Sequence, residues 1–264
     1  GYFAWVPRTG TPIAITHRIE QGIWRAWPNG WGKESYSSWR ELDGLLARLV
    51  NGKRVAMEYS AGDAVPYLDR VPAGVIEMIR ASGASVVTSG GLVSRFYAVW
   101  TDAQLQSHRR AAEHVASIAQ EAFHFAGEQL HSGVRLHEHD VQARIADAFT
   151  RVGLEYDHLP HVAVGANAAD PHYEPSPQRA ALITAGNVLL IDLFAREKGG
   201  VYADQTWMGV LGAVPDRALT IWEVVRDARD RALAFLRARA ASQTVVRGAE
   251  VDDAARAVSV ERGD

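Results

Sequence analysis

The pattern of hydrophobic and polar positions indicates a domain boundary near residue 100. Before that point, helical periodicity at 38–50 and 71–83 alternates with short strand-like runs at 54–59 and 84–90. Such alternation is typical of βαβ units, so residues 1–100 are predicted to form an α/β domain. The opening stretch, rich in Trp, Gly and Pro, indicates only strands and loops.

After residue 100 the pattern predicts longer helices around a pair of strands. Thr101 and Gln104 have the spacing of a capping box, and a long helix is predicted to follow them. Further predicted elements are helices at 141–153 and 217–241, a helix that begins at 250, and strands between 182 and 212. This order of elements is typical of an α+β domain rather than of a parallel sheet.

The predicted strand pair contains two aspartates in strongly apolar surroundings. Residues 188–195 and 201–210 are predicted to be the arms of an antiparallel hairpin, with Asp192 in the first arm and Asp204 in the second. A turn centred on Lys198 places the two carboxylates directly opposite each other, where like charges repel. A shared proton or a bound cation would relieve the repulsion. A slipped register would instead leave one aspartate at a turn and the other in solvent, and the spacing alone does not decide between them.

Two motifs in series resemble a known family. The hairpin IDLFAREKGGVYADQTW is similar to the metal-binding hairpin of the "pita-bread" metallopeptidases, the family of methionine aminopeptidase, aminopeptidase P and prolidase. The upstream loop VGANAADPHYEPS resembles the loop that presents a histidine, here His172. The flanking helices also match, so the resemblance runs from about residue 101 to 264. Residues 1–100 resemble the creatinase-type N-terminal domain of the prolidase and aminopeptidase P branch.

The resemblance implies a fold and a chemistry. The expected fold is an α/β creatinase-like domain (1–100) followed by a partial α+β pita-bread domain (101–264). The expected activity of the full-length protein is hydrolysis of the amide bond before proline, by a water that a dinuclear metal centre activates. Two divalent ions (Mn, Co, Fe or Zn) would share five ligands, of which Asp192 and Asp204 match two. His172 would bind the substrate carbonyl and stabilise developing charge.

The chain also departs from the family pattern. Asp192 and Asp204 are twelve positions apart, about one more than expected, and Phe194 stands where many members have glycine. The remaining His and two Glu ligands have no match in the sequence. Because the chain starts with Gly1 and stops without a tail-like composition, we expect a fragment that lacks the C-terminal part of the catalytic domain.

Two other kinds of function stay open. Some relatives with this fold act on small non-peptide substrates, as creatinase, ectoine hydrolase and dimethylsulfoniopropionate lyase do. Another possibility is a catalytically inactive, peptidase-like binding module. The presence of Asp192, Asp204 and His172 argues against the inactive module, which has no need of charged residues in an apolar hairpin.

Composition narrows the partners and the compartment. A net charge of −3 over 264 residues gives no electrostatic reason to expect nucleic acid, and no run has the length and apolar character of a membrane span. The absence of cysteine excludes thiolate ligands and suits a reducing compartment, so we predict a cytoplasmic protein. We expect a peptide or small amide as substrate and no nucleic-acid or membrane partner. The resemblance allows a homodimer.

Other histidines and carboxylates receive structural interpretations. Residues 137–140 (HEHD) contain potential metal ligands, but adjacent helix positions do not share a face. We therefore predict a solvated helix start there. His158 and His161 flank Pro160, and we predict a structural or surface role for both.

Overall fold

Two groups of elements, each with its own hydrophobic core, divide the chain between Trp100 and Thr101. The computed structural model describes residues 2–26, 29–64 and 69–262. The outer ends of the two predicted domains, Gly1 and Asp264, lie outside the described residues.

The N-terminal unit contains two small sheets. Its helices and strands are β1 (Tyr2–Trp5), β2 (Ile13–His17), β3 (Gly32–Tyr36), α1 (Trp39–Val50), β4 (Arg54–Met57), α2 (Ala73–Ala81), β5 (Ser85–Thr88) and α3 (Gly90–Tyr97). Strand β2 is antiparallel to β1 and parallel to β3. Strands β4 and β5 are parallel, and α2 lies between them in the chain, which is the βαβ order that the sequence predicts. Leu42 and Leu46 of α1 are buried in the core of this unit.

The C-terminal unit is built from long helices and an antiparallel sheet. Its described elements are α4 (Asp102–His131), β6 (Leu136–His137), α5 (Glu138–Arg151), β7 (His161–Val164), β8 (Leu182–Ile183), β9 (Val188–Ala195), β10 (Ala203–Val210), α6 (Asp216–Ala241) and α7 (Gly248–Arg262). The main sheet has the order β10-β9-β7, and β6 pairs with β8. Helix α4 packs on β10 and β9, α5 packs on β7, and α6 packs on α7.

Helix α4 begins at the predicted capping box. Gln104 N donates a hydrogen bond to Thr101 Oγ1 (3.2 Å), and Thr101 N donates one to Gln104 Oε1 (2.8 Å), so this prediction is confirmed. The buried stripe of α4 consists mainly of small residues. Small side chains let the helix lie close to the sheet, and the result is one tightly covered sheet face.

Strand β10 lies at the edge of the main sheet. Among the described strands it has a neighbour on the β9 side only. Its Gly209 lies against α4, where a Cβ atom would come within 2.6 Å of the Phe123 ring. The edge strand is therefore held in place by the helix behind it.

Helices α6 and α7 form an antiparallel pair stabilised in part by an ion pair between Arg231 and Glu261 (2.9 Å). Ile221, Trp222 and Val225 of α6 remain exposed. The described helices include none with the length and apolar character of a membrane span.

Candidate active site

The β9–β10 hairpin has one buried face and one open face. Ile191 and Leu193 are fully buried (0% exposed) in the core formed with α4. Successive side chains of a strand point to opposite faces, so Asp192 lies on the other side of the sheet. The open face is formed by two half-buried residues of β9, Asp192 and Phe194, and two exposed residues of β10, Asp204 and Thr206.

The register of the hairpin differs from the predicted one. Asp192 is the Cα partner of Thr206, and Asp204 is the partner of Phe194. The predicted direct pairing of the two aspartates is therefore wrong. A shift of two residues keeps every side chain on its original face. The aspartates are diagonal neighbours on the open face, within reach of each other's charge.

The shift corresponds to a turn that lies one residue later in the chain than predicted. The backbone of Arg196 pairs with that of Glu155, through N–O distances of 2.8 and 3.0 Å, and the β9–β10 ladder ends one residue earlier, at Ala195 and Ala203. The turn centres on Gly199, whose φ of +69° lies in the left-handed region, instead of on Lys198. Pairing with a third segment of the chain is not visible in the hairpin sequence.

The electrostatics of the pair fit a divalent cation. Partial burial raises the pKa of the Asp204 carboxyl, and the negative charge of Asp192 raises it further. Asp192 Oδ1 accepts a hydrogen bond from Thr206 Oγ1 (2.9 Å), which fixes its orientation on the open face. A bound cation would reverse the unfavourable effect of bringing two carboxylates together, and carboxylate oxygens are suitable ligands for it.

Two carboxylates are only part of a metal site. In the ranges that the structure describes, no group of three or more His, Cys, Asp or Glu side chains could hold a metal ion. The structure thus brings Asp192 and Asp204 onto one face, and it does not add His172 to them as a third ligand.

His172 lies in the loop between β7 and β8. Its backbone N–H donates to Asp170 Oδ1 (2.9 Å), which closes a short turn just before it. The His172 side chain is exposed. An exposed imidazole on a backbone held by a local hydrogen bond is available to a substrate.

Helix α4 holds the hairpin through polar contacts as well as packing. Gln205 Nε2 donates to the Ala112 carbonyl (3.0 Å) on the buried face. At the turn, the Arg110 guanidinium makes two hydrogen bonds of 2.7 Å to the Glu197 carboxylate. These bonds from Arg110, together with one from Ser107, lower the pKa of Glu197 to about 2. The aspartate pair therefore sits on a fixed support.

An aromatic cluster borders Asp204. Phe194, the strand partner of Asp204, lies 5.4 Å from the Tyr202 ring and 6.2 Å from the His158 ring, between centroids. The Tyr202 hydroxyl donates to Asp157, and this hydrogen bond, followed by burial, raises the pKa of Tyr202. His158 thus lies in a ring cluster at the edge of the open face.

His161 lies in line with the pair. It is the Cα partner of Asp192 across β7 and β9, so His161, Asp192 and Thr206 form one row across the sheet. Its buried Nε2 has no hydrogen-bond partner among the described residues. The His161 ring lies 6.1 Å from that of Tyr173, between centroids. Sequence reasoning gave this residue only a structural or surface role, and strand pairing is what places it beside Asp192.

Glu138 corrects the prediction of a solvated helix start. It is 0% exposed, and it accepts hydrogen bonds from the loop that carries His172. A signal for its burial was present in the sequence. Glu138 precedes Val141 and Ile145 at helical spacing, on the same buried stripe of α5. The nearby Asp140 behaves as a capping residue, because its Oδ2 accepts from His137 N (2.8 Å).

A groove of about 680 Å³ lies elsewhere, between the C-terminal half of α4 and the end of β10. Phe123, His124 and Trp207 are among the residues that line it. None of the three predicted site residues does, so the groove does not mark the candidate site.

The fold and the carboxylate pair define a candidate divalent-metal protein of mixed α/β architecture. Residues 107–263 match the sequence model of metallopeptidase family M24, which is more than half of the chain. The chain therefore belongs to metallopeptidase family M24, as its motifs predict, and membership implies divalent metal cofactors.

Solved structures share the fold. The dipeptidase PepE from Mycobacterium ulcerans is 20% identical with a TM-score of 0.67, over 99% of this chain and 66% of that one. A prolidase from Thermococcus sibiricus is 20% identical with a TM-score of 0.56, over 99% of this chain and 66% of the prolidase. An Xaa-Pro dipeptidase from Bacillus anthracis is 18% identical with a TM-score of 0.52, over 100% of this chain and 68% of the dipeptidase. These likenesses confirm the predicted α/β and pita-bread fold class, and the chain spans about two thirds of these structures. Curated proteins gave no match.

Proposed function

We propose that this chain carries part of the catalytic centre of a metal-dependent exopeptidase or dipeptidase that cleaves the bond before proline. The observation that carries the proposal is the pair of aspartates on the open face, where partial burial and then the charge of Asp192 raise the pKa of Asp204. Membership of family M24 and the fold shared with prolidases support the same conclusion. We keep a cytoplasmic location as part of the proposal.

Asp192 and Asp204 would hold divalent metal. Two such ions, from among Mn, Co, Fe and Zn, would supply an activated water for amide hydrolysis. Asp192 is oriented for ligation by the Thr206 hydroxyl. Gln205 and the Arg110–Glu197 pair keep the hairpin against α4. The protein's own contribution is thus a fixed pair of hard oxygen donors.

His172 would bind the substrate. Its exposed imidazole can donate a hydrogen bond to the carbonyl oxygen of the scissile amide, where negative charge develops during hydrolysis. Such a donor contributes most when it does not have to reorganise during the reaction. The turn closed by Asp170 supports a fixed position for the His172 backbone.

Phe194 favours short substrates. A phenyl ring opposite Asp204, packed with Tyr202 and His158, leaves less room beside the pair than a glycine would. This favours a dipeptide or another small amide over a long peptide, and it keeps small non-peptide substrates as the second candidate. Turnover of dipeptides with proline in second place, measured beside a panel of cyclic and amidino compounds, separates the two.

The decisive experiment uses the complete encoded protein. We expect it to release the first residue of an Xaa-Pro substrate, and a chelator should abolish this activity. Asp204→Asn should lower kcat/KM by more than about 100-fold, the upper range for losing an outer-shell partner of a metal ligand. The control is Asp147→Asn, an exposed aspartate on α5. Full activity of Asp204→Asn would overturn the proposal.

A further inference from the structure

The loop that carries His172 is anchored on one buried carboxylate. Glu138, the first residue of α5, is 0% exposed. Its Oε1 accepts from Val164 N (2.8 Å) and Asn167 Nδ2 (3.1 Å). Its Oε2 accepts from Tyr173 Oη (2.6 Å) and Ala181 N (2.7 Å), and also from Asn167 Nδ2 (3.2 Å).

The positions of these donors along the chain are informative. Val164 is the last residue of β7, where the loop begins, and Ala181 directly precedes β8, where it ends. Asn167 belongs to the first turn of the loop, and Tyr173 is the neighbour of His172 in sequence. One side chain therefore holds the start, the middle and the end of the loop.

We propose that Glu138 is a positioning residue for His172: it fixes the loop so that the imidazole meets the substrate in one orientation. This rests on the proposed role of His172. A carboxylate suits the task because it only accepts hydrogen bonds and has about four positions for donors. A glutamine at 138 would place an NH₂ group against either N–H or O–H donors, so part of the anchor would be lost without a change of shape.

The anchor is linked to the metal-binding row. Tyr173 donates to Glu138, and its ring lies 6.1 Å from that of His161, between centroids. His161 is in turn the strand partner of Asp192. Burial and then the Glu138 hydrogen bond raise the pKa of Tyr173 to about 12, so the hydroxyl stays a donor throughout the working pH range. Tyr173 and His161 thus connect the loop anchor to the strand position next to Asp192.

The test compares variants of the complete encoded protein loaded with Mn²⁺, with an Xaa-Pro dipeptide as substrate. Glu138→Gln should lower kcat by about 10- to 100-fold with KM changed less than about threefold, as expected when an interaction of the transition state is misplaced. The matched control is Asp140→Asn, which removes a carboxylate from the same helix turn but makes no bond to the loop. It should retain kcat within about twofold.

The double variant separates positioning from general damage. If Glu138 acts through His172, adding Glu138→Gln to His172→Ala should lower kcat no further. Additive losses would overturn the proposal. Should Glu138→Gln fail to fold, Tyr173→Phe can replace it, because it removes a single donor from the anchor. This variant should lower kcat a few-fold when His172 is present and should have no further effect when His172 is replaced by Ala.

A second readout does not depend on activity. Amide hydrogen exchange in residues 165–181 should be at least about tenfold faster in Glu138→Gln than in Asp140→Asn, because the loop loses its anchor. Equal exchange in the two variants would overturn the anchor even if the enzyme is active. If instead the unmodified protein cleaves no Xaa-Pro substrate while the exchange differs as expected, the proposed function fails and the anchor stands.

Discussion

The start of α5 and the β9–β10 hairpin handle carboxylates in opposite ways. At the start of α5, Glu138 is fully buried and both of its oxygens are occupied by donors from the protein. On the hairpin, Asp192 and Asp204 lie on an open face, where partial burial and then the charge of Asp192 raise the pKa of Asp204. A carboxylate that stabilises the fold brings its donors with it. A carboxylate pair with spare acceptor positions is suited to a ligand from outside the chain.

The largest effect on stability should come from removing Glu138, whose carboxylate has all of its hydrogen bonds made within the protein. Glu138→Ala leaves the buried N–H group of Val164 and the half-buried N–H group of Ala181 without their acceptor, and the loss of a buried acceptor costs about 1–3 kcal/mol. We expect the free energy of unfolding to fall by about 3 kcal/mol or more, measured by urea denaturation. Asp140→Ala is the control and should cost about 1 kcal/mol, as for a lost cap. A loss below 1 kcal/mol for Glu138→Ala would mean that water replaces the carboxylate.

The hairpin should show a smaller effect of opposite sign. A raised pKa means that ionised Asp204 lowers stability, and this loss develops as pH rises through the ordinary and then the raised pKa. In the metal-free protein at pH 7, Asp204→Asn should therefore raise the free energy of unfolding, by less than about 1 kcal/mol because solvent screens the pair.

Bound metal should reverse the sign of the effect that Asp204 has on stability. A cation that binds only the folded state stabilises it, so Mn²⁺ should raise the melting temperature of the complete protein with Asp204 in place, and much less so in the Asp204→Asn variant. Equal Mn²⁺ effects on the two proteins would remove Asp204 from the ligand set. Asp147→Asn serves again as the control.

The smallest effect belongs to a third kind of carboxylate, one that is half-buried and already paired with a guanidinium. The Arg110 hydrogen bonds lower the pKa of Glu197 from an ordinary 4.5 to about 2. A lowered pKa gives stability that is present above pH 4.5 and is lost as pH falls toward 2. We expect Glu197→Gln to lower the melting temperature slightly at neutral pH. The difference from the unchanged protein should vanish near pH 2, and a constant difference over this range would show that the ion pair is not its source.

Local sequence patterns predicted most helices and strands, but they could not predict contacts between residues that lie far apart in the chain. The first hairpin arm, the capping box of Thr101 and the long helices follow from periodicity and caps, which neighbouring residues determine. The pairing of Arg196 with Glu155, at the end of the first arm, joins residues that lie far apart in the chain. The apolar stripe of α5 indicates the burial of Glu138, but the donors that satisfy its carboxylate lie far along the sequence, between Val164 and Ala181.

The candidate site was predictable to the same extent. Asp192 and Asp204 share a face because both lie in strands with a period of two, and this holds even though their register was wrong. Their roles, and that of His172, rest on the family motif and stay predictions. His161 was missed because only the pairing of β7 with β9 places it beside Asp192.

The edge position of β10 has a consequence for self-association. An edge strand offers unpaired backbone groups to any other strand, and exposed apolar edges are sites of aggregation. Met208 is exposed on β10, whereas Asp204 places a charge on the same strand. If two copies of this chain paired through β10 with their Asp204 positions opposite each other, the like charges would repel. The Asp204 charge, which is proposed to bind metal, thus also opposes self-association through the edge strand. A bound cation would neutralise that charge and weaken the repulsion between copies.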